Sequence, residues 1–149
     1  MKRRQFNRSL AALTVTPWAT AAHAQMPIDI GMRSVRELVG NRPVMLGRVQ
    51  LEITTPTDNG NSVPMRIRVL SPMSPVDRVA TIHVFADSNP RPRIATFHFG
   101  PAATRAEIVT RIRLAGSQRV YAVATMADGS FWADHRDVSV TIAACIDGS

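Results

Sequence analysis

The chain has 149 residues, of which 45% are hydrophobic, which fits one globular domain with a modest core. This composition excludes a disordered chain and a bundle of membrane helices. The formal net charge is +7, but the four basic residues Lys2, Arg3, Arg4 and Arg8 lie at the N-terminus. The remaining 14 arginines and 11 acidic residues leave a net charge of +3, without basic runs or interleaved aromatic residues. A nucleic-acid-binding protein is therefore excluded.

Residues 1–24 have the three parts of an export signal. The basic start is followed by the apolar, small-residue stretch 10–22 and by Ala22-His23-Ala24, a typical cleavage site. The apolar stretch is too short to span a membrane as a stable helix, which favours a cleaved signal over a membrane helix. We therefore expect cleavage after Ala24 and a periplasmic protein. Arg3-Arg4-Gln5-Phe6 resembles a twin-arginine (Tat) motif, but Asn7 departs from it, so the Sec route stays open.

Residues 25–43 form a predicted lead-in with one short helix over 34–39. Ser34 is the expected N-cap, Glu37 follows at the spacing of a capping box, and Gly40 is the expected end of the helix.

Residues 44–142 form a predicted all-β domain. Runs rich in β-branched residues recur between turn residues, and several alternate apolar with polar side chains. The predicted strands cover 49–54, 63–69, 80–86, 94–99, 107–114, 119–126, 130–133 and 137–142. Such short strands at regular spacing are typical of an immunoglobulin-like antiparallel β-sandwich.

The last predicted strand leads into the segment 143–149, which contains Cys145, the one cysteine of the chain. We expect Val138, Val140 and Ile142 to point inward and to anchor this strand. Seven extended residues beyond it reach about 20 Å, so the segment is predicted to be a flexible C-terminal arm. A single cysteine in an exported protein either pairs with another molecule or acts as a reactive thiol. The alternative interpretation of Cys145 is a small buried hydrophobic residue, which is what most free cysteines are.

Other chemistry finds little support in the residues. His83, His98 and His135 lack metal-ligand spacing, so no metal site and no cofactor are predicted. No nucleophile elbow and no phosphate-binding loop is present. A redox enzyme is disfavoured because a lone cysteine has no resolving partner. A covalent carrier and an exported immunoglobulin-like binding module, in which Cys145 has no covalent role, remain as alternatives.

Several short strings, in order along residues 51–145, together resemble the SoxY family of thiosulfate-oxidation carriers. They are Ser71-Pro72-Met73-Ser74-Pro75, Ile82-His83-Val84-Phe85-Ala86, Asn89-Pro90-Arg91-Pro92, Ile94-Ala95-Thr96-Phe97-His98-Phe99, Thr110-Arg111-Ile112-Arg113-Leu114, Met126-Ala127-Asp128-Gly129-Ser130 and Val140-Thr141-Ile142.

The resemblance implies a periplasmic β-sandwich that forms a heterodimer with a SoxZ-like subunit. It further implies that Cys145 covalently holds thiosulfate or another sulfur species while periplasmic sulfur-oxidation enzymes act on it, so that the chain is a carrier and not an enzyme. The arm departs from the family pattern, in which glycines flank the cysteine. Here Ala143-Ala144 precede Cys145 and Ile146-Asp147 follow it. Neither a nucleic-acid partner nor a membrane partner is expected.

Overall fold

A computed structural model describes residues 31–144, which form one short helix and ten strands. The helix α1 covers Arg33–Val39. The strands are β1 (Val44–Met45), β2 (Val49–Ile53), β3 (Thr57–Asn59), β4 (Val63–Val69), β5 (Val79–Ala86), β6 (Arg93–His98), β7 (Ala106–Ile112), β8 (Gln118–Met126), β9 (Phe131–Val138) and β10 (Val140–Ile142). The predicted all-β sandwich with a short N-terminal helix is confirmed.

The strands form two main sheets that face each other. One has five strands in the order β1-β9-β8-β5-β6, and the other has three in the order β2-β4-β7. The long ladders of both are antiparallel. Two short pairs are parallel and were not predicted: β1 lies beside β9, and β10 lies beside β3 in a small third sheet.

The main core lies between the two sheets. Strand β4 shows why, because its buried residues Val63, Met65, Ile67 and Val69 alternate with exposed ones along its whole length. These side chains pack against buried residues of β5 and β8 such as Ile82. Burial of this apolar surface is the main force that holds the sheets together.

A second, smaller core lies between α1 and the opposite face of the five-stranded sheet. Val35 and Val39 of the helix pack there in one cluster with Phe85 and Phe131. The predicted helix end at Gly40 is confirmed, since Gly40 has φ +61° and donates its amide to the carbonyl of Arg36.

The predicted N-cap is wrong. The helix begins at Arg33 and its N-cap residue is Met32, whose side chain makes no capping hydrogen bond, while Ser34 lies inside the helix. Packing of Val35, rather than a cap, therefore stabilises the first turn.

The sequence also placed a break where none occurs. Strand β9 continues through Asp134, His135 and Arg136 and pairs with β8 over its whole length. The chain breaks instead at Ser139, between β9 and β10, where it leaves the five-stranded sheet and joins β3. No helix within residues 31–144 has the length and apolar character to cross a membrane.

Candidate functional site

Strand β10 is held by backbone hydrogen bonds and by one inward side chain, Val140, which packs against the main core. Ser139, just before it, accepts a hydrogen bond from the amide of Thr57 (2.9 Å), and Ile142 accepts one from the amide of Gly60 (2.8 Å). Val140 is half-buried, whereas Thr141 and Ile142 are exposed, Ile142 to 62%. The prediction that Ile142 points inward is therefore wrong, whereas Val138 is buried and Val140 packs against the main core as predicted. Ile142 lies beyond that core because β10 has left the five-stranded sheet at Ser139 and runs beside β3.

Ala144, at the end of the described chain, is bound to the body of the sandwich. Its amide donates to the carbonyl of Leu114 (3.0 Å), and only 7% of the residue is exposed. Leu114 is fully buried, and its own amide donates to the carbonyl of Gly60 (2.8 Å). Ala144 thus occupies a seat formed by Gly60 and Leu114, which we call the Ala144 seat.

Gly60 is the residue that leaves room for this arrangement. A Cβ atom at this position would lie 2.5 Å from the carbonyl oxygen of Leu114 and 2.9 Å from the amide nitrogen of Ala144. Both neighbours are backbone atoms, which cannot rotate away as a flexible side chain could. In the sequence Gly60 follows Asn59, a pair typical of turns, and nothing in that pattern indicates its close approach to the C-terminal strand.

Two buried amide side chains fix the loop that carries Leu114. Asn89 donates through Nδ2 to the carbonyl of Arg113, and its Oδ1 accepts from the amide of Ala115, both at 2.9 Å. Gln118 Nε2 donates to the same Asn89 oxygen (2.9 Å), and Gln118 Oε1 accepts from the amide of Ser88 (2.9 Å). Sequence reasoning missed both residues, since a buried Asn–Gln pair has no characteristic spacing.

Cys145, the predicted attachment site, lies outside the described residues, as do residues 146–149 of the predicted arm and the predicted export signal. Its assignment stays a prediction. The geometry that bears on it is that of the residue before it, since Ala144 is the last described residue and occupies the seat.

The three histidines lie on strands of the five-stranded sheet. His83 is buried with Nδ1 3.2 Å from Thr96 Oγ1. Burial lowers the pKa of His83 below its usual 6.5, and the positive charges of Arg93 and His98 lower this pKa further. Residues 31–144 contain no group of three His, Cys, Asp or Glu side chains that could hold a metal ion, and the absence of a metal site stays a sequence-based prediction.

The outer face of the three-stranded sheet carries an open groove of about 790 Å³. Arg66, Arg111 and Arg136 line it together with Val109, which is 69% exposed. The guanidinium groups have partners within the fold, such as Glu107 at 3.8 Å from Arg66 and Asp134 at 2.8 Å from Arg136. The groove therefore combines an exposed apolar side chain with arginines held by partners, a combination common in protein interfaces.

Comparison with known proteins identifies the family. The model of the family "Sulfur oxidation protein SoxY" matches residues 35–145. The chain belongs to the SoxY family. This match begins inside the helix at Val35, covers the whole sandwich and the Ala144 seat, and extends to Cys145. The predicted membership in this family is confirmed. No curated protein gives a significant match to the chain.

Solved structures similar to this SoxY family member support the fold alone. A superoxide reductase (neelaredoxin) from Ignicoccus hospitalis superposes with a TM-score of 0.56 at 14% identity, covering 62% of this chain and 79% of that one. A putative superoxide reductase from Thermotoga maritima gives 0.54 at 16% identity, with 62% and 84% covered. At such identities the likeness shows a shared sandwich and says nothing about chemistry.

Proposed function

We propose that this SoxY family member is a periplasmic sulfur carrier that covalently holds thiosulfate-derived intermediates on Cys145. The observation that carries the proposal is the family match, which extends as far as Cys145, the one cysteine of the chain. The sandwich presents the cysteine, and partner enzymes in the periplasm perform the chemistry. Export by the predicted signal in residues 1–24 belongs to the same proposal.

The loading step forms one sulfur–sulfur bond. The Cys145 thiol loses its proton, and its sulfur joins the terminal sulfur of thiosulfate to give an S-thiosulfonate. Two electrons leave in this step and pass to an electron acceptor on a partner enzyme. The reactive species is the thiolate, as in thiol–disulfide exchange.

A SoxZ-like subunit is the proposed partner in a heterodimer, and the outer face of the three-stranded sheet is the proposed docking surface. Val109 supplies an exposed apolar side chain on β7, and the groove arginines Arg66 and Arg111 supply donors for hydrogen bonds to the partner. None of the residues that line this surface belongs to the Ala144 seat.

Intact-mass measurement tests the carrier function. The protein and its Cys145→Ser variant are incubated with thiosulfate and an extract of sulfur-oxidising cells, and both are then weighed under non-reducing conditions. Wild type is expected to gain the mass of a sulfur adduct that a reducing agent removes, whereas Cys145→Ser gains nothing. No mass gain in wild type, or an equal gain in both proteins, would show that Cys145 carries no sulfur.

The alternative function is an exported binding module that uses the same groove without a covalent role for Cys145. The exposed Val109 and the arginines that line the groove with it support this alternative, because they do not depend on the cysteine. A stable disulfide-linked dimer on a non-reducing gel, together with no adduct in the mass experiment, would favour this alternative.

A further inference from the structure

The two sides of the contact at Ala144 differ in how firmly they are held. Leu114 is fully buried, and the hydrogen bonds from Asn89 fix the residues before and after it. Buried, satisfied polar groups of this kind hold one backbone conformation, because opening them exposes partners that have no substitutes. The seat is therefore the rigid side of the contact.

The strand that enters the seat is the weakly held side. Strand β10 has three residues, of which only Val140 packs against the main core, while Thr141 and Ile142 are exposed, as is Ala143 after them. The hydroxyl of Ser117 supports Val140 by accepting from its amide (2.8 Å) and donating to its carbonyl (3.3 Å). Segments with few buried apolar contacts open locally at a small fraction of the global free energy of unfolding. Ala144 itself adds only a methyl group and one hydrogen bond.

We propose that the Ala144 seat is a releasable clasp that sets how far Cys145 can travel. With Ala144 seated, the cysteine is the first residue beyond the anchor. With Ala144 released, the anchor moves back to Ile142, which the amide of Gly60 still holds. Ala143 and Ala144 then join the free segment and lengthen it by about 7 Å at ~3.3 Å per residue.

This inference deepens the proposed function, because the two lengths are two states of the carrier segment. In the short state the free segment begins at Cys145, and in the long state it begins at Ala143, which gives the cysteine the reach to enter a recessed active site of a partner enzyme. The alanines at 143 and 144, where the resemblance expects glycines, suit this switch. Alanine restricts the backbone more than glycine does and so favours one seated conformation.

The Gly60→Ala variant tests the clasp directly. Its Cβ would overlap the Leu114 carbonyl and the Ala144 amide, and the weakly held C-terminal strand is the side that can move away. We expect Cys145 in this variant to react about tenfold faster with a bulky maleimide–polyethylene glycol reagent, because the hydrogen bond from Ala144 to Leu114 and the packing of Ala144 are lost together. Its reaction with small iodoacetamide is expected to change much less.

Gly100→Ala is the matched control, since a Cβ at Gly100 meets no atom within 4 Å. This variant is expected to react like wild type with both reagents. Circular dichroism establishes that the variants are folded. Equal rates for folded wild type and Gly60→Ala with the bulky reagent would overturn the clasp.

Amide hydrogen exchange on the wild-type protein provides a second test that does not depend on the folding of a variant. The Ala144 amide, bonded to Leu114, is expected to exchange about 100-fold more slowly than an unstructured amide and faster than the buried amide of Leu114. Exchange of Ala144 at the unstructured rate would show that no clasp forms. Equal rates for Ala144 and Leu114 would show that it does not open separately.

The two proposals fail in different experiments. If alkylation and exchange behave as expected but thiosulfate leaves no adduct on Cys145, the clasp stands and the carrier function falls. If the adduct forms but Gly60→Ala and exchange show no effect, the carrier stands without a clasp.

Discussion

Asp134 of β9 accepts a hydrogen bond from the backbone amide of Leu51 in β2, with 2.9 Å between Oδ2 and the nitrogen. Leu51 is fully buried, and the bond joins the five-stranded sheet to an edge of the three-stranded sheet. The other carboxylate oxygen accepts from the amide of His135 and from Arg136, both at 2.8 Å. One carboxylate therefore links the two layers and positions an arginine of the groove.

Replacement of Asp134 by Ala is expected to lower the free energy of unfolding by about 1–3 kcal/mol, because the Leu51 amide loses its acceptor in a part-buried place. Asp134→Asn keeps an oxygen acceptor and is expected to lose less. Urea unfolding followed by circular dichroism measures both. Asp87→Ala, at an exposed turn, is the control and should change little. Equal losses for Asp134→Ala and Asp87→Ala would contradict the linking role.

Most of the sandwich could be predicted from the sequence because its strands are marked by local patterns. The alternation of Met65, Ile67 and Val69 with arginines gives β4 its full observed extent, and Gly40 correctly ends the helix. These signals are local: side-chain period in a strand, and a positive φ that glycine adopts without strain.

The features that escaped prediction depend on contacts between distant residues. The seat joins Gly60, Leu114 and Ala144, and its support comes from Asn89 and Gln118, so no local pattern contains it. The same holds for β3, whose three residues give no periodic signal, and for the pairing of β10 with β3, although the predicted strand 137–142 covers β10 itself. The inward orientation expected for Ile142 failed because the change of sheet at Ser139 is a tertiary event.

The buried His83 predicts a dependence of stability on pH. Because its folded-state pKa lies below the usual 6.5, the unfolded chain takes up a proton at a higher pH than the folded chain does. The stability contribution of neutral His83 is therefore complete above pH 6.5 and is lost as the pH falls through 6.5 towards the folded-state pKa.

Thermal unfolding of wild type and His83→Gln between about pH 7.5 and pH 5.5 measures this contribution. Glutamine stays neutral, so the variant is expected to lose less stability than wild type over this range. In His98→Gln, loss of the neighbouring charge is also expected to reduce the pH dependence of stability, but by less than in His83→Gln. His98 is the weakest of the three causes that lower the pKa of His83. Parallel curves for wild type and His83→Gln would contradict the prediction.

The proposed docking of a SoxZ-like subunit on the three-stranded sheet predicts that Val109→Asp weakens the heterodimer. A carboxylate in the groove would have to be desolvated on binding, and the apolar contact of Val109 would be lost. We expect the dissociation constant measured by calorimetry to rise at least about tenfold, which corresponds to about 1.4 kcal/mol.

Val76→Asp is the matched control because Val76 is 85% exposed, but lies before β5 and does not line the groove. The two variants introduce the same charge on an exposed valine, so a general effect of charge would weaken both equally. Only docking on the face that contains Val109 predicts that Val109→Asp weakens binding while Val76→Asp leaves it unchanged. If Val76→Asp weakened binding and Val109→Asp did not, the partner would bind at the end of the sandwich that carries Val76. Leu46 and Leu70 are also exposed there, near the Arg48–Asp77 ion pair.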